Sequence, residues 1–140
     1  MAKPKRIKGK LGKQGNAVKS QEPVNYDDNP PIFSLEKLQT GKYCLSSLDQ
    51  ENQAKFADAI FRRKSLTWNQ IKRCDRHKLG TEKIPRNQIK ASIPKFITAD
   101  FEEFLVFRYN GSKPMVGYRQ RDIFFVLWFD YDLSLYDHGR

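Results

Sequence analysis

Residues 104–138 read FLVFRYNGSKPMVGYRQRDIFFVLWFDYDLSLYDH. Two apolar runs, Phe104–Tyr109 and Met115–Arg119, flank Asn110-Gly111, a pair that accepts the positive φ angles of a tight hairpin turn. Pro114 stands at the entrance of the second run. A short turn through Gln120 and Arg121 leads to Ile123–Phe129, seven apolar residues without a break. Alternation along a strand puts Ile123, Phe125, Leu127 and Phe129 on one face and Phe124, Val126 and Trp128 on the other. Apolar side chains on both faces predict a central strand covered on both sides, or one face kept for a partner. Asp130-Tyr131-Asp132 then turns the chain, and Leu133–Tyr136 is expected to add a last short strand. The stretch predicts an antiparallel meander.

Working back from it, Gln88–Ile97 is expected to be a strand broken or edged by Pro94, and Asp75–Lys83 an exposed loop. Thr67-x-x-Gln70 fits a capping box that opens a short helix, with Trp68 and Ile71 inward and Lys72 and Arg73 outward. Gly80 is placed to end that helix or the turn after it. Ser47-x-x-Gln50 fits another capping box. It opens a helix whose Phe56, Ala57, Ile60 and Phe61 share a face and whose last turn, Arg62-Arg63-Lys64, suits the negative end of the helix dipole. Lys42–Leu48 alternates enough for a strand after Gly41. Ile32–Leu38 is expected to form a helical turn. The fold class is α+β: a small antiparallel sheet of four to five strands packed with two N-terminal helices.

That domain is expected to span residues 32–140. Residues 1–31 are expected to form a disordered basic tail whose removal the fold survives, because seven basic residues without an acid fill the first twenty positions and apolar material is scarce. The net charge of +10 is unevenly spread. Residues 62–95 carry eleven basic residues against Asp75 and Glu82. Such a field attracts polyanions and displaces counterions from phosphates, or else keeps a surface solvated. Lys72, Arg73, Arg76, Lys78, Lys83 and Arg86 are the candidate nucleic-acid-binding residues. The longest apolar run is too short to cross a bilayer, and no apolar stretch follows the basic start, so a secretory signal and a membrane partner are not expected. Cys44 and Cys74 are too few for a disulfide framework and are expected as thiols in a reducing cytoplasm. Cys74-x-x-His77 supplies two ligands where a closed zinc site needs about four, so no metal or cofactor is expected.

The order strand, two helices, antiparallel meander resembles the RelE/ParE superfamily of bacterial toxins, whose RNA-cleaving members cut messenger RNA, often on the ribosome. The residues that carry the resemblance are Gly117-Tyr118-Arg119, Asp122-Ile123-Phe124-Phe125-Val126-Leu127 and the closing Tyr136-Asp137-His138. It implies a metal-independent endoribonuclease (an mRNA interferase). The implied partners are RNA, including ribosome-bound messenger RNA, and a cognate antitoxin protein. The charge pattern alone fits two other classes: a non-enzymatic RNA- or DNA-binding protein, and a protein-interaction module that docks a partner on an apolar sheet face.

RNA cleavage without metal needs a base for the 2′-hydroxyl, cations for the phosphorane and an acid for the leaving 5′-oxygen. His138 is the leading proton-transfer candidate because imidazole titrates near neutrality, and Tyr136, two residues earlier, would share its face in a strand. Arg119 matches the strand arginine of the family, and Arg121 lies beside it in the turn. Either clamps a phosphate or pairs with Asp122 or Asp137. His77 and Glu82 are candidates for a second proton-transfer group. Trp68 and Trp128 are expected in the core, and Tyr109 and Tyr118, which border turns, as platforms for base stacking.

Overall fold

The computed structural model of the protein describes residues 23–139. Five strands form one mixed sheet: β1 (Ile32–Ser34), β2 (Thr81–Pro85), β3 (Glu103–Asn110), β4 (Lys113–Gln120) and β5 (Ile123–Phe129), in the order β1-β5-β4-β3-β2. Two helices, α1 (Gln50–Arg62) and α2 (Trp68–Lys72), pack on one face. The α+β class and the β3–β4–β5 meander are as expected. The sheet is not wholly antiparallel, because β1 runs parallel to β5, with Ile32 opposite Ile123. Pro30 and Pro31 hold the preceding backbone extended, so Ile32–Ser34 enters as a strand instead of the expected helical turn.

Five other local expectations fail in whole or in part. Residues 42–48 form successive turns, with Cys44 N–H donating to Gly41 O, Ser47 N–H to Cys44 O and Leu48 N–H to Leu45 O. Among the described residues, their one backbone bond to the sheet is Phe129 N–H donating to Tyr43 O at 2.8 Å. Asp49, not Ser47, caps α1 by accepting from Asn52 N–H at 2.8 Å. Residues 88–97 and 133–136 are irregular, and they run together where Lys90 N–H donates to Leu135 O at 2.8 Å. The charged stretch expected as a loop, Asp75–Lys83, is one up to Gly80, but its last three residues begin β2, an edge strand that ends at a proline, where an unpaired edge tolerates polar residues. The capping box on α2 is present, with Thr67 and Gln70 bonded reciprocally.

The two layers explain why β5 is apolar on both sides. Phe124, Val126 and Phe129 face the helices together with Phe56, Ala59, Trp68 and Phe107. Leu127 and Trp128 face a second core with Phe104, Val116, Leu135 and Tyr136, roofed by Ile89, Ile93 and Phe101 of the irregular segments. Strict alternation breaks at a bulge. Gly117 opposes Val126 while Val116 opposes Trp128, which leaves Leu127 as the extra residue. A Cβ at Gly117 would stand 1.8 Å from Phe125 O, so only glycine allows this approach.

Residues 23–31, expected to belong to a disordered tail, are docked; residues 1–22 lie outside the described range. Trp68 N–H donates to Asn29 O at 3.0 Å, and Asn29 Nδ2 donates to Asp122 at 3.2 Å. Asp27 accepts from Lys72 Nζ at 2.7 Å and from Arg119 Nη2 at 2.6 Å. These two bonds, Lys72 first, hold the Asp27 carboxyl below the ordinary aspartate range. A depressed carboxyl stabilises the fold above its unfolded pKa and loses that contribution as the pH falls through the folded value. Asp27→Asn is expected to cost about 1 kcal/mol at neutral pH, the scale of partly exposed ion pairs. In urea unfolding followed across pH, the gap to the parent chain should close below about pH 4. A gap that persists to low pH would show that the carboxylate charge is not what anchors this strap.

Candidate active site

A cavity of about 430 Å³ lies at one end of the sheet, lined by Arg76, His77, Glu82, Arg108, Tyr136 and His138 among others. Three separated parts of the chain build it. The turn after α2 brings Arg76 and His77. Strands β2 and β3 bring Glu82 and Arg108, which share a face because Glu82 opposes Val106 and Arg108 lies two residues further on. The irregular segment after β5 brings Tyr136 and His138.

Asp130 organises that last segment. It is fully buried, and its Oδ1 accepts from the backbone N–H groups of Ser134 at 2.8 Å and Leu135 at 3.1 Å. Its Oδ2 lies 2.9 Å from His138 Nε2. A carboxylate only accepts, so Nε2 carries a hydrogen, and in the neutral imidazole the lone pair is on Nδ1. The Tyr136 ring stacks on the imidazole with centroids 4.0 Å apart. Burial pushes the Tyr136 phenol up, so it keeps its proton at neutral pH.

The cationic wall is equally ordered. Glu82 Oε1 accepts from Arg108 Nη2 at 2.8 Å, with both side chains about 15% exposed. Arg108 Nη1 bonds His77 Nδ1, and Arg76 Nε reaches His77 Nε2 at 3.3 Å. A neutral imidazole has one lone pair for these two guanidinium donors. Arg76 is the weaker of the two, 3.9 Å from Glu82 and exposed, and it can swing to an arriving anion. Arg108 Nε is buried without a partner among the described residues. A buried donor left unmet costs about 1–3 kcal/mol.

Arg63 sets this geometry from behind. It is fully buried. It donates to Ala59 O at 2.9 Å, Leu79 O at 3.0 Å, Lys78 O at 3.1 Å and Arg108 O at 3.4 Å. Its guanidinium lies 4.8 Å from the centre of the Phe107 ring. Burial lowers its pKa to about 10, which leaves it charged at neutral pH. One side chain thus ties the end of α1 to the turn that carries His77 and to the backbone of Arg108. Gly80 closes the same turn by donating to Asp75 O at 2.9 Å, and a Cβ there would meet Cys74 O at 2.2 Å.

No protein-family model, curated protein or solved structure matches this chain.

Of the residues singled out in the sequence, His77, Glu82, Tyr136 and His138 converge on the cavity, with Arg76 at its wall and Lys78 next to it. Arg119 and Arg121 do not join them. The Arg119 guanidinium lies 4.1 Å from the centre of the Trp68 ring and is bonded to Asp27 and to Arg121 O. Arg121 occupies the β4–β5 turn at φ 60° and is exposed. Arg119, Lys72 and Lys83 instead border another cavity, of about 580 Å³, where Asp27 already bonds two of the three cations. Arg86 anchors an irregular segment through Thr98 O and Phe101 O, and Arg73 is exposed after α2. Trp68 and Trp128 are core residues, as expected. Tyr109 is a core residue packed against the Phe129 ring. Arg108, Arg63 and Asp130 are the site residues that the sequence alone did not single out. An arginine inside the apolar run FLVFRY, on the face opposite Phe107, was the available signal for the first.

Proposed function

We propose that this cavity is the active site of a metal-independent endoribonuclease, similar in type to the RNA-cleaving members of the RelE/ParE superfamily. The observation that carries the reading is the pairing of His138, held by the buried Asp130, with two arginines in one cavity. The dyad is a proton acceptor whose free Nδ1 is fixed by its carboxylate partner, and the arginines are ready for a phosphate.

His138 Nδ1 takes the proton of the 2′-hydroxyl, and Asp130 stabilises the imidazolium that forms. The 2′-oxygen attacks the adjacent phosphorus. Arg108 and Arg76 hold the equatorial oxygens of the phosphorane, where bidentate, charge-assisted bonds are strongest. His77 lines the same cavity; once the phosphate has drawn Arg76 and Arg108 from its ring nitrogens it takes up a proton from solvent, and as the imidazolium it gives that proton to the departing 5′-oxygen, while His138 releases its own to water. Glu82 keeps Arg108 in place. The products are a 2′,3′-cyclic phosphate and a 5′-hydroxyl, so atoms and charge balance without redox chemistry. A cytoplasmic setting, ribosome-bound messenger RNA as substrate and a cognate antitoxin as partner belong to the same proposal and rest on the resemblance.

The deciding experiment incubates the pure protein with RNA, with and without ribosomes, in chelator. Cleavage to 2′,3′-cyclic ends is expected, and Arg108→Ala should reduce it by about 10²–10³-fold, the scale of losing one stabiliser of developing charge. Absence of cleavage by the parent chain in both settings, or strict dependence on a divalent metal, would overturn the reading in favour of a binding protein.

A further inference from the structure

Next to the candidate active site lies another cavity, of about 330 Å³, whose walls include Arg62, His77, Lys78, Arg108, Asn110 and Gly111. His77 and Arg108 belong to both cavities, and Gly111 of the second is followed in the chain by Ser112 of the first. The two are adjoining chambers of one groove that passes the β3–β4 turn.

Their charges differ in kind. The first chamber is lined by carboxylates as well as cations, with Glu82 and Asp137 beside Arg76 and Arg108. The second has no carboxylate on its wall and three cations: Arg62, Lys78 and Arg108. Lys78 makes no ion pair among the described residues, and Arg62 is held only by Asp58 on the same exposed helical face, at 3.2 Å. A mixed wall suits proton transfer, because acid and base must coexist there. A purely cationic wall suits a group that stays anionic throughout. The peptide carbonyls of Lys78 and Leu79 are bound from below by Arg63, which fixes the backbone that presents the Lys78 side chain. The turn residues Asn110 and Gly111 leave the chamber open, since a Cβ at Gly111 would meet nothing within 4 Å.

We infer that this second chamber is a phosphate subsite for the nucleotide flanking the bond that is cut, with Arg62 and Lys78 as its ligands. The ligand class is a single-stranded nucleic-acid phosphodiester, and the inference rests on the ribonuclease reading of the adjoining chamber. The minimal good substrate is then longer than a dinucleoside monophosphate: it carries one further phosphate, which the second chamber holds while the first acts.

Two measurements test it. The first is equilibrium binding of a six-nucleotide 2′-deoxy oligothymidylate, which cannot be cleaved by 2′-hydroxyl attack, over a range of salt. Arg62→Gln with Lys78→Gln should weaken binding about tenfold. The slope of log K against log salt should shrink by about 0.7 for each phosphate that the variant no longer neutralises. The second compares cleavage of dinucleoside monophosphates with and without an extra terminal phosphate. The parent chain should prefer the extended substrate in kcat/KM by about tenfold, and the double variant should lose that preference. A reduced slope with no cleavage by any form would keep the subsite and sink the ribonuclease reading. An unchanged slope, or an unchanged preference in the variant, would overturn the subsite.

Discussion

His138→Ala is expected to slow RNA cleavage by about 10²–10⁴-fold, the usual contribution of a positioned proton-transfer group, with little change in stability. The imidazole is partly exposed, and its bond to Asp130 is only one of three that the carboxylate accepts. The effect should fall on kcat more than on KM, because the arginines that hold the phosphate remain. Asp130→Asn should be as damaging to rate by another route. An amide can donate to Nε2, which would move the imidazole hydrogen to Nδ1 and remove the lone pair that faces substrate. The two variants can be told apart by hydrogen exchange. Asp130→Asn should also loosen the amides of Ser134 and Leu135, whereas His138→Ala should leave them protected. Cleavage by His138→Ala at the parental rate would remove the dyad from the mechanism.

Arg63→Met is expected to cost about 3 kcal/mol in urea unfolding and to abolish cleavage, although Arg63 lines neither chamber. Three carbonyls outside its own helix would lose a charged donor, each bond of that kind being worth about 1.5–3 kcal/mol, while removal of a buried charge returns part of the loss. Arg63→Lys should fall between, because an ammonium keeps the charge but cannot reproduce the planar fork that serves Leu79, Lys78 and Arg108 together. The informative readout is the ratio of effects. If Arg63 positions His77 and Arg108, the lysine variant should lose far more activity than its residual stability explains. Activity that tracks the folded fraction alone would make Arg63 a core residue and nothing more.

What the sequence disclosed, and what it hid, follows the reach of the interactions. The β3–β4–β5 meander was legible because Asn110-Gly111 and the β4–β5 turn encode it locally. The capping box and inward residues of α2 were equally local, whereas α1 was legible only as a helix, since Asp49 and not Ser47 caps it and Ala59 lies in the core while Ala57 and Phe61 are exposed. β1 was illegible because its partner is β5, some ninety positions away in the chain, and three residues carry no period of their own. β2 was hidden by its charges, which an edge strand tolerates and which resemble those of a loop. The alternation on β5 misplaced its last residues because the bulge opposite Gly117 is a property of the pair of strands, not of either one. In the site, residue chemistry alone found His138, Tyr136, His77 and Glu82. It could not show that Arg119 is drawn aside by Asp27 and Trp68, or that Arg108 takes its place beside the histidines, since both facts depend on which face of a twisted, bulged strand each arginine occupies.

The parallel pairing of β1 with β5 also has a bearing on how the chain is made. Synthesis proceeds from the N-terminus at roughly 5–20 residues per second. β1 leaves the ribosome early and has nothing to pair with until β5 follows, because among the described residues no other strand borders it. Arg76, His77, Glu82 and Arg108 are likewise translated before Asp130, Tyr136 and His138 exist. A nascent chain can gather the cationic half of the groove, but it lacks the dyad that would remove a proton. With the proposed activity, the growing polypeptide is inert toward the messenger that encodes it, and becomes competent only when the segment that follows β5 has emerged and folded back onto Asp130.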